Sequence, residues 1–394
     1  MRSVELFVGA GGLGLGVSQA GFQPAAVMDW DKWACDTIRE NQKLGIDLVS
    51  EWPLHEVDVR EFNFEDITGD VDLVTGGPPC QPFSLGGRHK AHLDSRDMFP
   101  QAIRAVRNLK PRAFVFENVK GLTRTTFANY LEYIRLQLRH PEMVEKKDEP
   151  WLDHLARLED YETRGRYRGL EYRVALRVLN SANYGVPQKR ERVFIVGFRS
   201  DTAIEWHFPE ASHSQEALLW DKWRSGEYWD VQRVRKKDRP VDEKQMQRAS
   251  RLEARPSQAA WQTVREAISD LPDPEKEPRK SAGIRDHKFQ AGARTYPGHT
   301  GSPLDEPAKT LKAGVHGVPG GENMLRRPDG SVRYFTVRES ARLQTFPDDM
   351  IFHGSWSETM RQLGNAVPVK LGRVVAESVR DKLAVIKPRR AKGT

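Results

Sequence analysis

Val4-Glu5-Leu6-Phe7-Val8-Gly9-Ala10-Gly11-Gly12-Leu13-Gly14 stands near the start of the chain. Val4–Val8 reads as a short apolar strand, the glycines as a turn, and Leu13–Ala20 as the start of a helix. Glycines at such a turn let the backbone approach a nucleotide-like ligand closely. Ala25–Met28 reads as a second strand ending in Asp29, 20 residues after Gly9, where a carboxylate can bind ribose hydroxyls. Gly9, Gly11 and Gly14 also satisfy G-x-G-x-x-G, so the turn alone does not separate NAD from another adenosine cofactor. Further out, Trp33–Asn41 has a helical pattern, and Val71–Val74, Arg112–Phe116 and Val193–Phe198 read as fully apolar strands. Such strands alternating with helices predict an α/β fold with a doubly wound, mostly parallel sheet. The pattern breaks off near residue 199 and returns near the C-terminus, where Val367–Leu383 reads as a helix.

The chain has 394 residues, enough for one large domain or two ordinary ones. Its mean hydropathy of −0.65 implies much surface and loop. Lys and Arg exceed Asp and Glu by 62 − 55 = 7, a surplus that favours a polyanionic partner. Two cysteines, Cys35 and Cys80, are too few for a disulfide framework or a Cys-rich zinc site, which fits a reducing cytoplasm and no metal. The first residues lack the pattern of a signal peptide, and no apolar run approaches the roughly 20 residues of a membrane span.

Four stretches point to chemistry. Asp29 is followed by Trp30, whose ring could stack on adenine, and Asp58 sits where a third strand should end. Gly76-Gly77-Pro78-Pro79-Cys80-Gln81-Pro82-Phe83-Ser84 places a thiol just past a strand's carboxyl end, on a loop that its prolines stiffen. Cys35, by contrast, lies within a helical pattern and reads as core. Phe114-Val115-Phe116-Glu117-Asn118-Val119 ends an apolar strand in a carboxylate, where burial would raise the pKa. Gln188-Lys189-Arg190-Glu191-Arg192 precedes the strand Val193–Phe198. Alternation puts Gln188, Arg190 and Arg192 on one face, and three long donors there suit a phosphate or a base edge, or else form a solvated charge cluster.

Taken together and in order, these residues resemble the DNA cytosine-5 methyltransferases of bacterial restriction–modification systems. The resemblance runs through Phe7-x-Gly9-x-Gly11-Gly12, Asp29-Trp30, Asp58, Pro78-Pro79-Cys80-Gln81, Glu117-Asn118-Val119, Gln188-x-Arg190-x-Arg192, Arg338-Glu339 with Ala341-Arg342, and Gly364-Asn365-Ala366-Val367. It covers residues 1–198 and about 335–385. It implies a Rossmann-like fold with a second, smaller target-recognition domain, and S-adenosyl-L-methionine as cofactor. By position, Phe7, Gly9, Gly11, Gly12, Leu13, Asp29, Trp30, Asp58, Val59, Pro78, Asn365 and Val367 would hold that cofactor. Asp29 stands where the family often has Glu.

The resemblance further implies that Cys80 attacks C6 of a flipped-out cytosine while Glu117 neutralises charge building toward N3. Arg192 would hold O2, and Arg190 would bind phosphate and steady the loop. Ser84, Arg88 and Gln188 would touch DNA. The implied partners are double-stranded DNA and a separately acting cognate restriction endonuclease, and the implied state is a cytoplasmic monomer away from membranes. The expected division is 1–198 plus 362–386 for catalysis and cofactor, 199–361 for target recognition and hinge, and a basic tail at 387–394. Nine Lys/Arg against four Asp/Glu in 231–256, and the glycine-rich run Lys312–Gly321, mark the region that would meet DNA. A segment between Gly121 and Tyr172, with Trp151 in it, is longer than usual and has no assigned role. Rival readings are a nicotinamide oxidoreductase, an RNA-methylating branch of the same family and a non-catalytic DNA-binding protein.

Overall fold

The computed structural model describes residues 1–79, 97–165, 168–313 and 321–385. Seven strands form one sheet: β1 Arg2–Leu6, β2 Gln23–Asp29, β3 Leu54–Glu56, β4 Leu73–Gly76, β5 Ala113–Val119, β6 Tyr172–Asn180 and β7 Glu191–Arg199, in the order β3-β2-β1-β4-β5-β7-β6. The first five run parallel. The expected strand Val193–Phe198 is the core of β7, but it runs antiparallel to both β5 and β6. The reason lies in the connection. Only Ser181–Arg190 separates β6 from β7, too little chain for a crossover back to a parallel partner. The sequence pattern did not reveal β6, because its side chains are mostly half-buried rather than continuously apolar.

Helices cover both faces. They begin with α1 Gly12–Gln19, α2 Lys32–Lys43, α3 Phe99–Leu109, α4 Ala128–Arg139 and α5 Trp151–Arg164. In the region after β7 the chain makes five shorter helices, α6 Gln215–Trp223, α7 Glu227–Val231, α8 Glu243–Ser250, α9 Val264–Ile268 and α10 Pro278–Ser281. Then α11 Val337–Leu343, α12 Trp356–Asn365 and α13 Val369–Val385 return to the sheet. Alternation along the strands sorts the core into two layers. Val4, Leu6, Met28, Val74, Phe114 and Phe116 face α3 and α4. Leu73, Val115, Phe194 and Val196 face α1 and α13.

The unassigned segment after Gly121 turns out to be α4 and α5. Tyr130, Tyr133, Ile134, Leu155 and Leu158 bury themselves in the first layer, so both helices belong to the core.

Packing runs across the expected division of the chain. Val337, Ala341, Phe346, Met350 and Met360 share a core with Val8, Val27 and Ile38 of the sheet's far side. Trp206 and Phe208 pack on the layer beneath α13. Residues 337–361 therefore pack with the sheet and, through Leu343 and Arg342, with the smaller region that precedes them. That smaller region has its own clusters, one around Val264, Leu311 and Leu325 and one around Leu218, Trp229 and Trp261.

Candidate active site

The glycine turn follows β1 directly. Phe7, Gly9 and Gly11 all have positive φ, of 56°, 54° and 87°, so the chain reverses sharply before α1. Glycine supplies that geometry without strain at two of the three positions. At Gly12 the need is different. A Cβ there would lie 2.2 Å from the carbonyl oxygen of Val367. The absence of a side chain is what lets Asn365–Val367, more than 350 residues away in sequence, close against the turn.

Asp29 joins the ends of the first two strands. Its carboxylate accepts the N–H of Gly9 at 2.7 Å and that of Asp31 at 2.8 Å. Burial pushes its pKa up, and the backbone donors at Asp31 and Gly9 oppose that rise. Trp30 beside it is 70% exposed, so this indole is not core but an open face next to the turn. A Cβ at Gly9 would meet nothing within 4 Å, which leaves open space above the turn. Asp58 accepts from the Arg60 N–H and forms an ion pair with the Arg60 guanidinium. Leu13 and Val367 are buried beneath the turn, and Asn365 is exposed at its rim. Val59 is buried in the core beside Phe64. An acid, an open indole and a glycine turn with room above it form a donor set that suits an adenosine-bearing ligand.

The second half of the site lies at the carboxyl edge of β4 and β5. Glu117, near the end of β5, is 7% exposed and meets Arg192 Nε at 2.9 Å. The two are brought together by the β5–β7 pairing, in which Val119 lies opposite Arg192 and Glu117 opposite Phe194. Burial pushes the Glu117 pKa up, against the pull of Arg192 and Arg190. Asn118 points the other way, as alternation demands. Its amide donates to the Pro78 carbonyl at 2.8 Å. The buried Pro78 is thus tied to the strand that carries Glu117. Cys80, Ser84, Arg88 and residues 314–320 of the glycine-rich run lie outside the described residues, as does the basic tail. Cys35 is buried in α2, and burial together with the Asp29 charge pushes its thiol up to about 12, which suits an inert core residue.

Two of the residues expected at DNA have protein partners in the packing. Gln188 was assigned to DNA, yet it is fully buried. Its side chain donates to the carbonyl of Leu343 and the amide oxygen of Gln344 and accepts from Leu311 N–H. Arg190 was assigned to phosphate, yet it is fully buried too. Its guanidinium donates to the carbonyls of Leu311 and Gly364. The alternation argument identified the shared face correctly but not what that face meets. The chain around 311, 344 and 364 covers it, so Gln188 and Arg190 clasp the smaller region and α12 to the start of β7. Only Arg192, two residues further on, reaches Glu117.

Sequence reasoning also missed Glu5. It is buried in β1, its pKa is raised by burial, and it interrupts what reads as an apolar strand. A polar cleft of about 480 Å³ opens where the ends of β6 and β7 meet the smaller region. Asn180, Glu191, His213, Gln258 and Trp261 are among its lining residues. Among the described residues no group of His, Cys, Asp and Glu could hold a metal ion, and no helix is long and apolar enough to cross a membrane.

Comparison with known proteins bears on the same residues. The family model of the C-5 cytosine-specific DNA methylases matches residues 1–140 and 166–381. The chain is 33% identical over 386 residues to the type II methyltransferase M.PspPI of Psychrobacter sp. (strain TA137), covering 95% of this chain and 78% of that protein. It is 32% identical over 382 residues to M.Eco47II of Escherichia coli, with the same coverage. Among solved structures, the fold resembles that of the Schizosaccharomyces pombe Dnmt2 methyltransferase. That match has a TM-score of 0.55 and 16% identity and covers 97% of this chain and 99% of the other.

Proposed function

Since the chain belongs to the C-5 cytosine-specific DNA methylase family and is a DNA cytosine-5 methyltransferase, we propose that it methylates a flipped-out cytosine within a specific duplex sequence through a covalent Cys80–C6 adduct. The observation that supports this most is the joining of Glu117 to Arg192 at one sheet edge, with Asn118 of the same strand holding the carbonyl two residues before Cys80.

Cytosine C5 is a poor nucleophile while the ring is aromatic. Attack by the Cys80 thiolate forms an S–C6 bond and moves the C5–C6 electron pair toward C5. Charge that would build at N3 is neutralised by a proton from Glu117, whose burial favours the acid form. Arg192 is placed to turn its guanidinium from Glu117 toward O2 of the base. S-adenosyl-L-methionine, when bound, supplies an electrophilic methyl group. Phe7, Gly9, Gly11, Gly12, Leu13, Asp29, Trp30, Asp58, Val59, Pro78, Asn365 and Val367 would hold it. Once C5 carries the methyl group, the N3 proton returns to Glu117 and water takes the C5 proton, whose electron pair re-forms the C5–C6 double bond, breaks the S–C6 bond and returns the thiolate. A base inside a duplex is out of reach of these groups, so the cytosine must leave the stack.

Asp29→Ala is expected to weaken S-adenosyl-L-methionine binding by roughly 2–4 kcal/mol, because hydrogen bonds to a charged acceptor contribute about 1.5–3 kcal/mol each and do not simply add. DNA affinity should change little. Equal cofactor dissociation constants for mutant and native protein by calorimetry would place the ribose elsewhere.

Residues 209–334 form the recognition region in this reading, and the sheet with α11–α13 forms the catalytic body. The type II relatives suggest a protective partner role beside a separate endonuclease. Bisulfite sequencing of DNA from cells expressing the protein should show 5-methylcytosine at one short sequence, and unmodified DNA from cells with folded protein would overturn the reading. Exchanging 209–334 for the same region of a relative should move that mark to a new sequence. An active chimera that keeps the original target would locate recognition in the catalytic body.

A further inference from the structure

The family model passes over residues 141–165, and those residues hold α5. Its first residue, Trp151, lies against two tyrosines of α4. Its ring meets Tyr130 edge-on at 6.1 Å and Tyr133 at 5.5 Å. The buried His154, one turn later, bridges the Met143 carbonyl at 2.9 Å and the Tyr133 hydroxyl at 2.8 Å. Leu155 and Leu158 complete the docking. The helix therefore holds the α4 tyrosines from the side away from the sheet.

Tyr130 in turn donates its hydroxyl to the carboxylate of Asp97. Asp97 accepts the Phe99 N–H at 3.1 Å, at the first turn of α3. Its neighbour Met98 donates its N–H to the Pro79 carbonyl at 3.1 Å. Pro79 immediately precedes Cys80. The contacts thus run without a break from Trp151 through Tyr130, Asp97 and Met98 to the residue beside the nucleophile. We infer that Tyr130, buttressed by Trp151 of the inserted helix, is a positioning residue that acts through Pro79, the described residue preceding Cys80 in the sequence. The inference rests on the reading of Cys80 as nucleophile. It adds a function for α5 that the sheet itself does not require, since Leu155 and Leu158 already anchor the helix.

The geometry makes the role directional. A hydrogen bond from a buried tyrosine to a carboxylate fixes an angle as well as a distance, and small misplacements of a reacting group cost rate more than binding. Tyr130→Phe keeps the ring and its packing and removes only the hydroxyl. The test is the rate of covalent trapping on duplex DNA carrying 5-fluorocytosine, read on denaturing gels, beside single-turnover methyl transfer on ordinary DNA. Tyr130→Phe should slow both rates by about tenfold. Cofactor and DNA dissociation constants should stay within about twofold, because Tyr130 is buried in the core with its hydroxyl on Asp97. Trp151→Ala should give a comparable loss, Trp151→Phe should restore most of it, and the Tyr130→Phe/Trp151→Ala pair should be no slower than the slower single variant. Native rates in folded Tyr130→Phe overturn the inference, and they do so even if Trp151→Ala does not fold. If native protein gives no adduct, the Cys80 reading fails separately, and single-turnover methyl transfer still decides whether Tyr130 positions the reacting groups.

Discussion

Cys80→Ser is expected to abolish methyl transfer while leaving DNA and cofactor binding measurable. A thiol with an ordinary pKa near 8.5 is partly ionised at neutral pH, whereas a serine hydroxyl is not, and the thiolate is the attacking species. Loss of a covalent nucleophile typically costs on the order of 10⁴-fold or more in turnover. Binding should survive because it draws on other groups. Asp29 and the glycine turn stand at the neighbouring strand ends, and affinity for DNA comes largely from phosphate contacts. The variant should also fail to form the 5-fluorocytosine adduct that native protein forms, since fluorine at C5 cannot leave as a proton does. Native turnover in Cys80→Ser would remove this thiol from the mechanism.

Glu117→Gln is expected to lower single-turnover methyl transfer by about 10²–10⁴-fold, the usual contribution of a positioned acid. Its pH dependence carries the sharper test. Burial raises the Glu117 pKa, so the acid form persists to higher pH than for a carboxyl in water. The acid is the working form, so the native rate should fall as pH rises through that raised pKa. The thiolate population of Cys80 grows in the same direction, and the two together give a rate that rises and then falls. An amide does not titrate. Glu117→Gln should therefore lose the falling limb and keep the rising one. Arg192 would keep a neutral acceptor, so the substitution leaves its charge less compensated and a modest loss of stability should accompany it. An unchanged alkaline limb in the variant would assign that limb to another group.

The clasp built by Gln188 and Arg190 shows how one motif divides its labour. Both side chains hydrogen-bond carbonyls and amides of residues 311, 343, 344 and 364. Their removal should be felt as loosened packing of the smaller region. Arg192 alone of the three meets Glu117, because the pairing of β7 with β5 places the two together.

Much of the fold was legible because it is encoded at short range. Apolar runs buried on both faces identify the strands that carry Val4, Val74, Phe114 and Ile195, and the glycines before Leu13 mark the turn. Asp29 and Glu117 could be placed at strand ends for the same reason. The local pattern also placed Cys35 within a helical repeat, and it is buried in α2. Tertiary structure alone decided the rest. The antiparallel direction of β7 follows from its hairpin with β6, a strand too mixed in character to be recognised. Whether Gln188 and Arg190 face ligand or protein depends on chain more than 100 residues away folding over them. The role inferred for Trp151 depends on its meeting Tyr130 of α4, and through it Asp97 just before α3. Periodicity states which face a side chain shares with its neighbours. It does not state what covers that face, because the covering groups are set by long-range packing.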